Sequence, residues 1–542
     1  MSERNGRAHQ LTIYLVKDAN ATNEDLVKVG NAKAPVQLEI GGAAASLYVR
    51  RPTVKTPDWT MLLKQSEQVP LGIFDDSSST GALLVVRLVD ATFLVSFGLG
   101  HTLHNPETIA RDFGLRVALN STKATEIRSM DKATSKLTPL NSRTQSSLGV
   151  EIEQLFIDPE TDLLYAITGI SEVEIFGPVV TGRDSLTIKP KLELVRLPRI
   201  LCKALEQYQT GLPTEYDWVD NIRREKDASV ISELDNQLIL ELNNGTNTKI
   251  WLGEPKIVDW ETNLGYSFGR DDLVYPVLNL NRFLTYVSAK RRSLSISDLK
   301  NQVIHCRDAQ HVSFKQWSAY RGIYAEITWR GHTYMLRNGV WYRVADSFVN
   351  SINDALSRIP LYNLVLPEFD HHDEEHYNAF VASSITDIEL LDRDTVTFGG
   401  RYSKIEVCDL IKAGEDLIHV KKYTSSQTLS HLFYQGLVSA ETLKKSAEFR
   451  GLFNNKLPVG MRLTDPVSEL TQDQYQVVYA IYSDKKLPMD LPFFSKITLK
   501  NAYQNLRAMG FRVALAGIPI SARIQALSVM KPKSSPKQVT AQ

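Results

Sequence analysis

GGRYSKIEVCDLIKAGEDLIHVKKY, the stretch Gly399–Tyr423, places charged residues inside two otherwise apolar runs. The runs Ile405–Ile411 and Leu417–Val420 flank the glycine-containing segment Lys412–Asp416, and this pattern predicts a short hairpin of buried strands. Buried strands rarely carry charged side chains. The sequence therefore predicts that this hairpin is the centre of the C-terminal region and holds a polar site at a sheet edge.

Four polar residues of the hairpin are candidates for chemistry. The first strand carries Glu406 and Asp409, and the second carries His419 and Lys421. Because residues i and i+2 of a strand share a face, His419 and Lys421 are expected to point the same way. Glu406 lies three residues before Asp409 and is expected on the opposite face. An acid, a polar residue and a lysine on two strands are what a metal and water-activation site requires.

Composition sets broad limits on the fold and function. A chain of 542 residues is too long for one core, and about three or four domains are expected. Lys plus Arg and Asp plus Glu each number 62, which argues against coating nucleic acid by bulk charge but leaves a local basic groove open. The three cysteines are far apart in the sequence, which favours a reducing cytosol. The polar N-terminus and the lack of a long apolar run predict a cytoplasmic protein without membrane insertion.

Periodicity predicts a multidomain chain of mixed α+β class. Residues 1–197 are predicted to form an N-terminal α+β domain, and residues 198–360 a β-rich middle domain. Residues 361–522 are predicted to form an α/β sandwich, in which helices and strands alternate. Residues 523–542 are basic and rich in Pro and Ser, and are predicted to be a disordered tail.

Three segments of the first two domains predict particular helices, strands or loops. Pro106–Phe113 is expected to be helical, with Pro106 in the first turn. Lys123–Leu148 is rich in Ser, Thr and Lys and is expected to be a mobile loop or an exposed helix. Leu238–Leu242 and Lys249–Leu252 are expected to pair as a hairpin across NNGTNT.

The segment Gly322–Ala345 predicts three strands joined by turns at Arg330-Gly331 and Asn338-Gly339. This meander is rich in aromatic residues, which could form a base-stacking platform. Core packing is the favoured interpretation, because Trp and Tyr prefer strands and interiors. The aromatic residues are Tyr324, Trp329, Tyr334, Trp341 and Tyr342.

From Glu374 onward the chain resembles the PD-(D/E)XK nuclease superfamily. A helix bearing acids at Glu374–Ser383, a strand with Asp409, a strand ending in x-Lys and a further helix stand in that superfamily's order. The second strand, LIHVKKY at Leu417–Tyr423, is similar to the "IQVKRY" strand of Mrr-like restriction endonucleases. The resemblance implies a PD-(D/E)XK-like α/β sandwich and a metal-dependent endonuclease that hydrolyses phosphodiesters.

The resemblance also implies roles for individual residues. Asp409 takes the place of the metal-binding acid, Glu374 or Glu375 that of the helix acid, and Lys421 that of the catalytic lysine. The implied cofactor is a divalent metal, Mg²⁺ or Mn²⁺, because hard oxygen ligands suit these ions. Glu406 is an alternative to Asp409.

His419 departs from the superfamily, which has Glu, Asp or Gln at this position. A histidine favours softer ions such as Mn²⁺ or Zn²⁺, or no metal at all. The departure leaves open a nuclease of altered metal preference or a fold kept only for binding.

Three basic residues near the hairpin, Lys422, Arg401 and Lys404, are predicted to contact a nucleic-acid backbone. DNA is favoured over RNA as the partner. A homo-oligomer or a partner protein stays open.

Two other interpretations compete with the nuclease-like site. The hairpin could be a plain buried hairpin with a salt bridge between Asp409 and Lys421. His372, Glu375 and His376 have the H-x-x-E-H spacing of inverted zinc peptidases. The same acids also fit an ordinary helix N-terminus, where the helix dipole favours negative charge.

The whole chain is similar to a sporadically distributed bacterial family of uncharacterised proteins. The strings that carry this similarity are Ala110–Asn120, Ser403–Leu410, Ile418–Tyr423, Ser430–Glu441 and Leu491–Lys496. Such a distribution implies association with mobile elements and defence islands. The predicted function is a nucleic-acid-targeting, metal-dependent nuclease-like component of bacterial defence against phage or mobile DNA, in a restriction role. The alternative is a non-catalytic nucleic-acid-binding or interaction protein with a degenerate nuclease fold.

Overall fold

The computed structural model describes residues 8–530 of the chain with internal gaps. The residues left out within that range are 57–58, 67, 71, 135–140, 161, 246–248, 256–257, 259–261, 270–272, 290–292, 392–394, 398–403 and 424–425. Contacts divide the chain into two compact units: unit 1 comprises Met1–Thr134 and Asn141–Asp220, and unit 2 takes in Asn221–Gln542. The predicted mixed α+β class with several sheets is confirmed. The predicted domain boundaries near residues 197 and 360 stay predictions.

Unit 1 is built on a large antiparallel sheet. Its strands are β1 (Leu11–Leu15), β2 (Val36–Ile40), β3 (Ala43–Val49), β4 (Thr53–Lys55), β5 (Ser77–Ser79), β6 (Gly81–Arg87), β7 (Thr92–Gly98), β8 (Thr122–Thr134), β9 (Asn141–Val150), β10 (Asp162–Ser171), β11 (Val179–Gly182) and β12 (Leu186–Ile188). Within the described residues the sheet order is β2-β3-β6-β7-β1-β12-β11-β10-β8-β9, and β4 pairs separately with β5.

Two helices cover one face of this sheet and complete the core of unit 1. The helices of the unit are α1 (Asn23–Leu26), α2 (Trp59–Leu63), α3 (Phe113–Leu119) and α4 (Leu197–Gln209). α3 and α4 bury Phe113, Val117 and Leu201 against strand residues such as Ile13 and Phe93. The rings of Phe93 and Phe113 meet edge to face, with centroids 5.9 Å apart.

Two element predictions in unit 1 are wrong. Pro106–Phe113 is not helical: α3 begins only at Phe113, because the segment before it forms backbone hydrogen bonds to the end of β1. The described residues of Lys123–Leu148 lie in β8 and β9 and do not form a loop or a helix. The sequence does not predict these strands, because the segment is polar and lacks an apolar alternation. β8 is ordered by its pairing with β10 and buries only a few side chains, including Ile127 and Met130.

Unit 2 begins with two small antiparallel sheets and their helices. The strands are β13 (Ile222–Arg224), β14 (Ile250–Leu252), β15 (Gly265–Phe268), β16 (Val303–Arg307), β17 (Ser313–Ser318), β18 (Ile323–Trp329), β19 (His332–Arg337) and β20 (Val340–Val344). The helices are α5 (Ala228–Asn244), α6 (Leu280–Ser288), α7 (Ile296–Asn301), α8 (Ala319–Gly322) and α9 (Asp346–Leu356). In the described chain one sheet has the order β13-β20-β19-β18-β14 and the other β15-β16-β17.

The predicted hairpin between Leu238–Leu242 and Lys249–Leu252 is wrong. Leu238–Leu242 lies in α5, where leucines spaced four residues apart are buried on one face. The signals for this helix were present in the sequence. Asp227 accepts hydrogen bonds from the N–H groups of Ser229 and Val230, and Gly245 ends the helix in the left-handed conformation.

The predicted three-stranded meander is confirmed as β18, β19 and β20. Asn338 and Gly339 both have positive φ, as a two-residue hairpin turn requires. Tyr324, Tyr334 and Trp341 are buried, so these three rings belong to the core and are not exposed for base stacking.

The C-terminal region of unit 2 is organised around a mixed sheet. Its strands are β21 (Ile388–Leu390), β22 (Thr395–Thr397), β23 (Lys404–Glu406), β24 (Leu410–Lys412), β25 (Asp416–Lys422), β26 (Gln476–Tyr482) and β27 (Arg512–Ile518). Its helices are α10 (Glu374–Ser384), α11 (Ser426–Lys445), α12 (Ala447–Lys456), α13 (Phe493–Ala508) and α14 (Ala522–Met530). In the described residues the sheet order is β21-β24-β25-β26-β27, with β25, β26 and β27 parallel.

The hairpin predicted within Gly399–Tyr423 is shorter in the structure than predicted. β24 pairs with β25 across the predicted turn, but the predicted strand Ile405–Ile411 is broken at residues 407–409. β23 pairs instead with β22 in a separate ribbon. The break leaves the Asp409 backbone bonded on both sides, to Ile418 and to Leu391.

The two faces of this mixed sheet are both covered. Ile418 and Val420 of β25 pack into a core with Tyr377 and Val381 of α10. α11 packs on β25 and β26, where Phe433 meets Tyr479 edge to face. The described part of the chain contains no helix long and apolar enough to cross a membrane.

Candidate functional site

The centre of the candidate site is an ion pair between α10 and the end of β25. Lys421 Nζ lies 2.9 Å from Glu374 Oε2, and both side chains are about one third exposed, at 30% and 29%. Glu374 is the first residue of α10, which Asp373 caps by accepting a hydrogen bond from the His376 N–H. The start of the helix therefore places a carboxylate beside the lysine that lies one residue before the end of the strand.

Two further carboxylates act on Lys421. Asp409 Oδ2 accepts a 2.7 Å hydrogen bond from the N–H of Val420, which ties this acid to β25 beside the lysine. Burial lowers the pKa of Lys421, but the hydrogen bond to Glu374 and the charges of Glu374, Asp409 and Glu406 together raise it above its usual value. We call Glu374, Glu406, Asp409 and Lys421 the acid–lysine cluster.

Tyr482 borders the cluster and was not identified from the sequence. It ends β26 in register with Lys422, and its ring stacks on Phe369 with centroids 4.0 Å apart. Burial, followed by the charge of Glu374 and a hydrogen bond to it, raises the pKa of the Tyr482 hydroxyl. The sequence feature that could have identified Tyr482 is its position at the end of the apolar run QVVYAIY, where its hydroxyl lies at the end of a strand.

His419 is not bonded into the cluster, although it shares a strand face with Lys421 in the predicted pattern. The residue is 3% exposed, and its ring centroid lies 6.2 Å from that of Tyr479. Its Nε2 atom has no hydrogen-bond partner among the described residues. Burial lowers the pKa of the imidazole to about 4, so the ring is neutral at physiological pH.

The remaining predicted site residues lie outside the cluster or outside the described chain. Glu375 is exposed on α10, and its charge acts on His376. Lys422 is half-buried at the end of β25. Lys404 is the first residue of β23, and Arg401 lies outside the described residues.

The H-x-x-E-H segment is engaged as a helix cap. His376 Nδ1 lies 2.7 Å and His372 Nδ1 3.2 Å from the carboxylate of Asp373. Hydrogen bonds from the His376 backbone and from both imidazoles lower the pKa of Asp373. These contacts favour the helix N-terminus over the zinc peptidase as the interpretation of this segment.

A divalent ion is the cofactor that the superfamily resemblance implies. The carboxylates of the acid–lysine cluster fit Mg²⁺ or Mn²⁺ in chemical type. However, one oxygen of Glu374 bonds to Lys421 and one oxygen of Asp409 bonds to the Val420 N–H. Within the described residues, no group of three or more His, Cys, Asp or Glu side chains is placed to hold a metal ion. The cofactor stays a prediction.

The chain belongs to a family of unknown function (DUF6119), whose model matches residues 11–519. This match confirms the expected membership of an uncharacterised family. No curated protein and no solved structure matches the chain. The resemblance to the PD-(D/E)XK superfamily has no support from these comparisons.

Proposed function

We propose that this family member targets nucleic acid, DNA in preference to RNA, through a nuclease-like site at the acid–lysine cluster, in bacterial defence against phage or mobile DNA. The observation that carries the proposal is the 2.9 Å contact between Lys421 Nζ and Glu374 Oε2, with Asp409 and Glu406 acting on the same lysine. The superfamily resemblance implies a helix with acids, two strands and a further helix, and α10, β24, β25 and α11 follow one another along the chain in that order.

The proposed chemistry is hydrolysis of a phosphodiester. Water oxygen forms a bond to phosphorus and the water gives up one proton, while one P–O ester bond breaks and the leaving oxygen takes up a proton. Lys421 stays protonated, because the net effect of its surroundings raises its pKa, and its charge would stabilise the negative charge that develops on the phosphate. A divalent ion held by Asp409 with Glu374 or Glu375 is part of the proposal, and such an ion would polarise the phosphate.

A second candidate function is binding without catalysis, in a degenerate nuclease fold. Two observations favour it: Glu374 already neutralises Lys421, and His419, at the position of a superfamily acid, is enclosed and neutral. In this case the cluster would hold the α10 end against β25 instead of doing chemistry.

Cleavage assays with purified full-length protein test the proposal. DNA and RNA are incubated with Mg²⁺, Mn²⁺ or Zn²⁺, and Lys421→Ala is expected to lower the cleavage rate about 100-fold, the loss typical of one stabilising donor. Lys412→Ala is the matched control, because this lysine lies at the opposite end of the β24–β25 hairpin. The partly exposed ion pair is worth at most about 1 kcal/mol, so Lys421→Ala is expected to stay folded.

The outcomes separate the two candidates. Absence of cleavage with all three ions, together with salt-dependent binding that survives Lys421→Ala and Asp409→Ala, would select the binding protein. If the protein neither cleaves nor binds nucleic acid, both candidates are overturned.

A further inference from the structure

Three lysines from separate segments gather beyond the carboxyl ends of β25 and β26. We propose that Lys249, Lys485 and Lys496, together with Tyr423, form a subsite for a phosphate group of the nucleic-acid backbone. This inference rests on the proposed function, since it names the contact that would hold the same ligand beside the acid–lysine cluster. We call these four residues the lysine subsite.

The outer part of the subsite is Lys485 against Tyr423. Lys485 Nζ donates a 3.1 Å hydrogen bond to the Tyr423 hydroxyl and lies 4.3 Å from the centre of its ring. Burial, then the charges of Glu326 and Asp490, raise the pKa of the Tyr423 hydroxyl to about 12, so it keeps a proton. An exposed ammonium and a protonated hydroxyl therefore lie side by side, and both can donate to a phosphate oxygen.

The inner part of the subsite is arranged around Glu326 of β18. Glu326 is 4% exposed, and its Oε1 accepts a 2.7 Å hydrogen bond from the Phe493 N–H at the start of α13. Lys249 Nζ lies 3.6 Å from the same oxygen. Lys496 Nζ donates to Asn353 Oδ1 at 2.9 Å. A strand, a loop and a helix thus bring buried or half-buried charges to one place.

The charges of this group do not balance. Three lysines face two carboxylates, Glu326 and Asp490, and the first of these also binds the positive end of α13. Burial and the charge of Lys249 lower the pKa of Lys485. The pKa of Lys496 is also lowered, with burial as the largest cause. A bound anion would relieve this excess of positive charge, as phosphate does in other basic clefts.

The position of the subsite identifies the ligand. Tyr423 follows Lys421 by two residues, about 7 Å of extended chain, and Lys485 follows Tyr482 by three. In open α/β sheets, ligands bind outside the carboxyl ends of the strands. A polymer lying across this edge would place one phosphate at the lysine subsite and another near the acid–lysine cluster. A nucleic-acid strand has this repeating charge.

Binding measured without catalysis tests the inference. Fluorescence anisotropy with a labelled DNA duplex, in EDTA to prevent cleavage, compares the full-length protein with Lys485→Gln. The variant is expected to bind about tenfold more weakly, the loss of one charge-assisted hydrogen bond, at every sequence tried. The slope of log affinity against log salt is expected to fall by about 0.9. Lys412→Gln, at the opposite end of the β24–β25 hairpin, is expected to bind the duplex with the affinity of the wild type.

A second variant and a second probe keep the outcomes distinct. Lys485→Glu is expected to weaken binding further, and thermal unfolding checks that both variants stay folded. Unchanged duplex affinity in both variants would overturn the lysine subsite and leave the proposed function standing. Inorganic phosphate, followed by ³¹P line broadening, is the second probe. Phosphate binding that Lys485→Gln removes, without any duplex binding, would support the subsite and overturn nucleic acid as the target. If the wild type binds neither the duplex nor phosphate, both the lysine subsite and nucleic acid as the target are overturned.

Discussion

At the scale of single residues, the environment of a side chain separates two groups that are neighbours in sequence. Lys421 reaches Glu374 and keeps its charge, whereas His419 two residues earlier is enclosed and neutral. The sequence identified both as polar groups in a buried strand. Their different states arise from the elements packed around them, which strand alternation does not specify.

The buried imidazole of His419 predicts a loss of stability in acid. Its pKa is about 4 in the folded protein and 6.5 as the ordinary value. Between these pH values the unfolded chain binds more protons than the folded protein. The contribution of the neutral imidazole to the free energy of unfolding is therefore complete above pH 6.5 and is lost as the pH falls toward 4. The full effect is about 3 kcal/mol.

Denaturant unfolding as a function of pH measures this effect. His419→Phe removes the titrating group and is expected to flatten the curve between the two pKa values. An equally steep curve in the variant would show that other groups cause the acid sensitivity.

At the scale of elements, packing between α11 and β26 depends on one glycine. A Cβ atom added to Gly436 would lie 2.6 Å from the ring of Tyr479. That ring is fully buried and its hydroxyl donates to the Phe433 carbonyl at 2.9 Å, so it has little freedom to move. The close approach of helix and strand therefore requires glycine here.

Gly436→Ala is expected to destabilise the protein by about 1–3 kcal/mol, because overpacking outweighs the better helix propensity of alanine. Gly451→Ala in α12 is the matched control, since nothing lies within 4 Å of the added Cβ. The control is expected to gain up to about 1 kcal/mol. Equal changes in the two unfolding free energies would contradict the packing argument.

The sequence predicts correctly those elements that have strong local signals, such as turn residues and apolar periodicity. The Asn-Gly turn predicts the meander, and the acid-bearing segment from Glu374 predicts α10. β8 and β9 were missed, because polar strands gain their order from pairing with β10 and not from an apolar pattern. The sequence predicts Leu238–Leu242 as a strand, because a short apolar run fits a strand and a helix equally well.

At the scale of the whole molecule, contacts within unit 2 cross the predicted boundary at residue 360. Glu326 caps the start of α13 through the Phe493 N–H. The ring of Phe348 meets that of Phe493 edge to face, with centroids 5.4 Å apart. The meander side of unit 2 and the mixed sheet therefore share buried groups.

Truncation tests this sharing. A fragment that begins at residue 221 is expected to unfold cooperatively, whereas one that begins at residue 361 loses the Glu326 carboxylate and exposes Phe493. The shorter fragment is expected to melt at a lower temperature or to aggregate, which circular dichroism and light scattering detect. Identical melting of both fragments would favour the boundary predicted from the sequence.

The sequence by itself determined the mixed α+β class, because periodicity and turn residues act over a few neighbours, and its longer strings indicated the family. From Glu374 onward it predicted α10 and the β24–β25 hairpin, but not the break at residues 407–409, nor α14 within the predicted disordered tail. It also identified Asp409 and Lys421 as polar groups in a buried hairpin. Only the tertiary structure decided which groups meet. Glu374 and Lys421 are 47 residues apart, and Lys249 in the loop before β14 meets Glu326 of β18. Such contacts depend on how layers pack, and local patterns carry no information about that packing.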